Sequence, residues 1–162
     1  MRKLVLLAAL LLLGTSLALA QGKIDNGWHC AKATSQNAID VGDKPGHAYS
    51  IDQIKCTSTK GEFAGVREKE GTGTEFMEVS GNDASGHGIF VETMANGDKM
   101  NFTYQMSATM DKGMLKSATD KFQATSGTGK FKGVKASGSC TGKGNADGST
   151  DWACTGTYTI PK

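Results

Sequence analysis

The stretch from Ser137 to Gly156, SGSCTGKGNADGSTDWACTG, sets two cysteines evenly about a short polar knot. Cys140 lies seven residues before Asp147, and Cys154 lies seven after it. Ala146-Asp147-Gly148 suits a three-residue hairpin loop, with Gly148 in the left-handed region. Asn145 then faces Ser149, Cys140 faces Cys154, Ala136 faces Tyr158 and Val134 faces Ile160. In that register Trp152, Cys154, Tyr158 and Ile160 share one face of the sheet. Opposed residues of an antiparallel pair lie within disulfide reach, so the spacing predicts a Cys140–Cys154 bond. Closing this 15-residue loop stabilises by about 3 kcal/mol on the loop-entropy model.

The same pattern runs along the chain. Turn signals (GDKPG, TKG, EGTG, SGND, ANGD, DKG, SGTG, NADG) recur every 8–15 residues, and apolar and polar residues alternate between them. No stretch keeps a helical period, which predicts an all-β protein. Short turns throughout favour a single antiparallel up-and-down β-barrel of about eight strands, calycin-like, with a two-sheet β-sandwich as the alternative. In HGIFVETMANGDKMNFTYQMSATM, a two-residue Asn96-Gly97 turn sets Val91 opposite Phe102, Ile89 opposite Tyr104 and His87 opposite Met106. Met100, Phe102, Tyr104, Met106, Ala108 and Met110 then point one way. A three-residue loop at Asp111-Lys112-Gly113 places Phe122 opposite Phe102 and turns Asp120 inward beside Tyr104. Cys30 and Cys56 are centred on Asp43, within extended runs that can also lie antiparallel. Four cysteines allow three pairings, and four reduced, buried thiols are the competing state.

Arg2 and Lys3 precede the apolar run Leu4–Leu13, and Ala18-Leu19-Ala20 offers small residues for cleavage. This reads as a signal peptide over 1–20, leaving one β-barrel domain over 21–162, exported to the periplasm or secreted. An oxidising compartment and an even cysteine count favour two disulfides. Without Arg2 and Lys3 the chain has 16 basic and 16 acidic residues, a net charge near zero. Bulk charge therefore implies no nucleic-acid partner. Lys130, Lys132, Lys135 and Lys143 lack the interleaved aromatics of a nucleic-acid face. Past the leader, no segment is apolar enough to span a membrane.

Chemistry-bearing motifs are sparse. No G-x-S-x-G, H-E-x-x-H or calcium loop occurs, and the GTG and SGTG segments lack the strand-to-helix setting of a phosphate loop. No cofactor or metal is expected. His29 faces away from Cys30, and His47 lies beside the Pro45-Gly46 turn. His87, Tyr104 and Asp120 are the candidates for a polar spot in a cavity otherwise walled by Phe102, Met106 and Phe122. Asn101-Phe102-Thr103 is a formal glycosylation sequon, and the methionines read as core filling. The charged run Arg67, Glu68, Lys69, Glu70 reads as a solvated face.

The last third, SGTGKFKGVKASGSCTGKGNADGSTDWACTGTYTI, resembles the allene oxide cyclase barrel-like superfamily. The matching residues are Gly127-Thr128-Gly129, Phe131, Gly133, Gly138 and the closing Gly156 and Tyr158, with GHGIFVETMANGDK in the middle of the chain. That resemblance implies an eight-stranded barrel around an apolar cavity. The plant cyclases of the superfamily steer an unstable fatty-acid epoxide in theirs. Their catalytic glutamate has no matched position in this chain, so the resemblance implies the fold and not the activity. The expectation is a non-enzymatic exported barrel enclosing a small apolar molecule. The alternatives are a cyclase or isomerase acting in the cavity and an interaction protein with no internal site.

Overall fold

Polar and apolar residues alternate along nearly every segment, and each apolar face needs a partner sheet or closure to leave water. The computed structural model, which describes residues 19–161, satisfies that need by closure. Ten strands follow in order: β1 (Leu19–Cys30), β2 (Ser35–Asp40), β3 (His47–Lys60), β4 (Glu62–Phe63), β5 (Val66–Ser80), β6 (Asp83–Met94), β7 (Lys99–Asp111), β8 (Met114–Gly127), β9 (Lys135–Gly144) and β10 (Thr150–Pro161). A short 3₁₀ turn, Gly129–Phe131, precedes β9. All pairings are antiparallel. Strand β1 pairs with β10, strand β3 pairs with both β1 and β5, and β5 to β10 follow in sequence. Eight strands thus form a closed antiparallel barrel. Strand β2 lies along the same edge of β3 as β1, and β4 is a small flap on β5. Residues 1–18, which carry most of the expected leader, lie outside the described residues.

The cysteine hairpin has the register its spacing predicts. Cys140 pairs with Cys154 and Ala136 with Tyr158. Gly148, at φ 84°, closes the loop by donating its N–H to Asn145 O at 3.0 Å. Cys140 and Cys154 are disulfide-bonded. Cys30, opposite Cys56 in the ladder, makes the second disulfide.

The β6–β7 hairpin differs from the sequence reading by one residue. Met94 donates its N–H to Asp98 O at 2.8 Å, so the loop is three residues, Ala95-Asn96-Gly97, with Gly97 left-handed at φ 86°. Gly86, not His87, therefore faces Met106, and Gly88, not Ile89, faces Tyr104. A one-residue slip exchanges the faces of a strand. Phe90, Glu92 and Met94 point inward, while His87 and Ile89 are exposed on the outer wall. At β7–β8 the turn is instead two residues, Lys112-Gly113, both at positive φ. A bulge between Thr109 and Met110 adds a further offset, so Asp120 faces Met106 and Phe122 faces Tyr104. The net shift is two residues, so both side chains keep the predicted inward face.

The interior is filled from both ends. One plug gathers Ile24, Phe63, Met94, Met100, Phe102, Phe131, Val134 and Ile160 with Tyr158. The other holds Met77, Ala84, Met106, Ala108 and Ala118. The two disulfides and Trp28 lie between them. The β4 flap carries Phe63 into the first plug, and Ala64 donates its N–H to the Tyr158 hydroxyl at 2.8 Å. Phe131 is fully buried there. Phe131→Ala should cost about 3–5 kcal/mol, read as a lower denaturant midpoint with an unchanged slope. On the outer wall, Tyr49, Ile51, Phe76 and Ile89 stay exposed, with Tyr49 stacked on Phe76 at 5.5 Å.

Candidate functional site: an interior cavity with buried carboxyl groups

Between the two plugs the side chains leave a cavity of about 90 Å³. Its walls come from around the ring: Trp28 on β1, Phe90 on β6, Phe102 on β7, Phe122 on β8 and Trp152 on β10, together with both disulfides. The rings meet edge to face, Trp28 with Phe90 at 5.1 Å and Phe102 with Phe122 at 5.7 Å, the arrangement that aromatic quadrupoles favour. The barrel makes room for its large rings with small residues opposite them: Gly88, paired with Tyr104, would bring any Cβ to 2.6 Å from the tyrosine hydroxyl.

Into this apolar space project Asn26, Glu75, Glu92, Tyr104 and Asp120. The Tyr104 hydroxyl donates to Glu75 Oε2 at 2.7 Å. Asp120 Oδ1 accepts the Cys140 N–H at 3.1 Å. Asn26 Nδ2 donates to Glu68 Oε1 at 2.6 Å. Glu92 is 2% exposed, and its Oε1 has no hydrogen-bond partner, as is also true of Asn26 Oδ1, Glu68 Oε2 and Asp52 Oδ1. No lysine, arginine or histidine lines the cavity.

Burial without a cationic partner penalises the charged form of an acid. It pushes the Glu68 carboxyl up to about 7, against a hydrogen bond from Asn26 that pulls it down. It raises Asp120 to about 6. Burial raises Glu75 too, with the neighbouring Asp52 and Asp120 adding to it, and Glu92 stands well above the usual carboxylate range because Glu68 adds repulsion to burial. Tyr104 is held neutral by burial and by the adjacent Glu75. The cavity is therefore greasy, acidic and able to hold protonated carboxyl groups near neutral pH.

Of the residues that the sequence singles out, Phe102, Tyr104, Met106, Asp120 and Phe122 all line this cavity. His87 does not: the one-residue register difference puts it outside, 5.8 Å from the ring of Phe76. The solvated-face reading of Arg67–Glu70 fails at Glu68, which is 5% exposed. A bulge between Glu68 and Glu70 lets Glu68 and then Gly71 both face inward. Sequence pattern alone does not pick out Asn26, Trp28, Glu75, Phe90 or Glu92. The alternation of Gly71, Gly73, Glu75, Met77 could have flagged Glu75. His29 is exposed against Asp151 at 2.7 Å, and His47 bridges Asp43 and Glu78 at 2.6 and 3.1 Å. Among the described residues, no group of three or more His, Cys, Asp or Glu is placed to hold a metal ion.

No protein-family model and no curated protein sequence matches the chain. Among solved structures it is similar to the pterocarpan synthase dirigent protein GePTS1, with a TM-score of 0.54 at 11% identity over 91% of this chain and 94% of that one. It is also aligned with the pterocarpan synthase dirigent protein PsPTS1, with a TM-score of 0.48 at 9% identity over 89% and 96% of the two chains. At these identities the likeness to the first extends to the barrel fold and no further.

Proposed function

We propose that this protein is an exported binding barrel that encloses a small, mostly apolar molecule between its two plugs. One observation carries the reading: seven aromatic side chains from six strands, Phe63 on β4 and Tyr104 on β7 among them, surround a space that the core leaves unfilled. Eight-stranded barrels either fill their interior with side chains or hold one small ligand. Two disulfides fit the oxidising compartment that export provides. The allene oxide cyclase-like motif of the last third is in keeping with a barrel of this kind.

Trp28 and Trp152 both line the cavity, so occupancy should be visible in their fluorescence. Titration with benzyl alcohol, excited at a wavelength the alcohol does not absorb, should give a saturable change in emission. Ile54→Phe, which fills part of the same space, should weaken that binding about tenfold. A linear, unsaturable response in the native barrel would exclude the reading.

A second reading is acid catalysis in the same cavity, favoured by Asp120 and the Tyr104–Glu75 pair inside it. An acid of pKa about 6 can be protonated near neutrality and give its proton to a bound ligand. The dirigent protein GePTS1 is a pterocarpan synthase, so an enzyme on this fold is a concrete comparison. His87 has no part in it. Asp120→Asn would abolish turnover and leave benzyl alcohol binding within twofold; unchanged turnover in that variant would remove the reading.

A further inference from the structure

We propose that the occupant of the cavity carries an amine, entering as a cation with its apolar body against the aromatic walls and its ammonium towards Glu92 and Asn26. The inference rests on the binding reading above and names the chemical class of the ligand.

The unpartnered interior atoms decide the class. Glu92 Oε1, Asn26 Oδ1, Glu68 Oε2 and Asp52 Oδ1 are all oxygens without a hydrogen-bond partner. Every one is an acceptor when the carboxyl groups are ionised. Glu92 and Asn26 line the cavity directly, and Glu92 is 2% exposed. Three donors nearby are already engaged: the Tyr104 hydroxyl with Glu75, the Asn26 amide with Glu68, and the Trp152 indole with Thr150. A buried acceptor left unpaired is destabilising, so a ligand that brings donors gains what a hydrocarbon cannot. An ammonium brings three.

Charge selects in the same direction. Glu75, Glu92 and Asp120 line the cavity, Asp52 and Glu68 are buried behind it, and no basic side chain lines the space. An anionic ligand would find no cation to pair with, and like charge wherever one of these carboxyl groups has ionised. Trp28 and Phe90 line the same cavity as Glu92, which shares the inward face of β6 with Phe90. A cation over the face of either ring gains further attraction.

Binding of the cation is coupled to release of a proton from these carboxyl groups. The groups facing Glu92 across the cavity are Asn26 on β1, Glu75 on β5, Tyr104 on β7 and Asp120 on β8, with Glu68 of β5 hydrogen-bonded to Asn26. From β3 come Ile54 and Cys56, with Asp52 buried on the same strand. Strands β9 and β10 present Cys140, Trp152 and Cys154 to the cavity, none of which titrates here. All the titrating carboxyl groups act with the same sign.

The test uses the full oxidised chain and three probes of one shape: benzylamine, benzyl alcohol and benzoate. Benzylamine should bind at least tenfold more tightly than benzyl alcohol, and benzoate should not bind. Benzylamine affinity should rise from pH 5.5 to pH 8, a range over which the amine stays charged, while benzyl alcohol affinity stays flat. Glu92→Gln should weaken benzylamine at least tenfold more than it weakens benzyl alcohol, and a cooperative urea transition shows that the variant is folded. Equal affinity for amine and alcohol in the native barrel would overturn the inference and leave the binding reading standing. Unchanged benzylamine affinity in a Glu92→Gln variant that still takes the alcohol would overturn it as well. Saturable binding of neither probe overturns both.

Discussion

Reducing the two disulfides should unfold the barrel at neutral pH. The bonds Cys30–Cys56 and Cys140–Cys154 span sequence separations of 26 and 14. Their loops do not overlap along the chain, so each restricts a different part of the unfolded ensemble. The loop-entropy model gives about 3.5 and about 3 kcal/mol, and their sum is comparable with the total stability of an ordinary domain, about 5–15 kcal/mol. Both bridges also sit at the middle of the barrel, packed around Trp28. Urea unfolding of the oxidised protein, of Cys30→Ala with Cys56→Ala, and of Cys140→Ala with Cys154→Ala should show two large losses. The combined variant should be unfolded without denaturant. Oxidised and reduced protein with the same midpoint would show that the bridges add nothing to stability.

Raising the pH from about 4.5 to about 7.5 should weaken the fold. Glu68 has a folded pKa of about 7 against an ordinary 4.5, and Glu75 and Glu92 are raised as well. Asp120 stands at about 6 against 3.8. In each case the folded state holds its proton more tightly than the unfolded chain. The stabilisation is therefore complete below the unfolded pKa and is lost as the pH rises through the folded one. Glu68 alone contributes about 3 kcal/mol over that window at 1.36 kcal/mol per pKa unit. The exposed carboxyl groups of Asp43, Asp147 and Asp151 are lowered, so their stabilisation is lost only on going below about pH 4. His47, raised by Asp43, loses its contribution as the pH climbs and adds to the decline. Denaturant midpoints at pH 5 and pH 7.5 should fall with pH in the native chain, and the fall should be smaller in Glu68→Gln. A native midpoint that rises across this interval would refute the burial of these ionisable groups.

Strand character and the cysteine hairpin were legible because local signals agreed. Along β7, Met100, Phe102, Met106 and Ala108 are buried and the residues between them are polar, so period and composition give the same face. Where composition and geometry disagree, the sequence misleads. Strand β6 carries its apolar β-branched residues, Ile89 and Val91, on the outside, and sets Gly86, Gly88 and Glu92 within. A hydrophobic-face argument therefore favours the wrong register. Asn-Gly also serves loops of two residues and of three, and here Gly97 takes the left-handed place of the longer one. The two-residue slip at β8 did no harm to the site, because side chains repeat every second position. The buried acids were the least legible part. Glu68 turns inward through a bulge that no turn residue announces, and Glu92 breaks the rule that lone carboxylates stay in water.

The ring also fixes when the fold can be completed. Its last seam joins β1 to β10, with Leu19 opposite Pro161 and Cys30 opposite Thr150. Until β10 is available, one long edge of β1 has no neighbour, however well the intervening hairpins have formed. Contacts between segments so remote in the chain are slow to assemble. In a nascent polypeptide of this topology that edge of β1 stays unpaired, and the ring open, until β10 has been made.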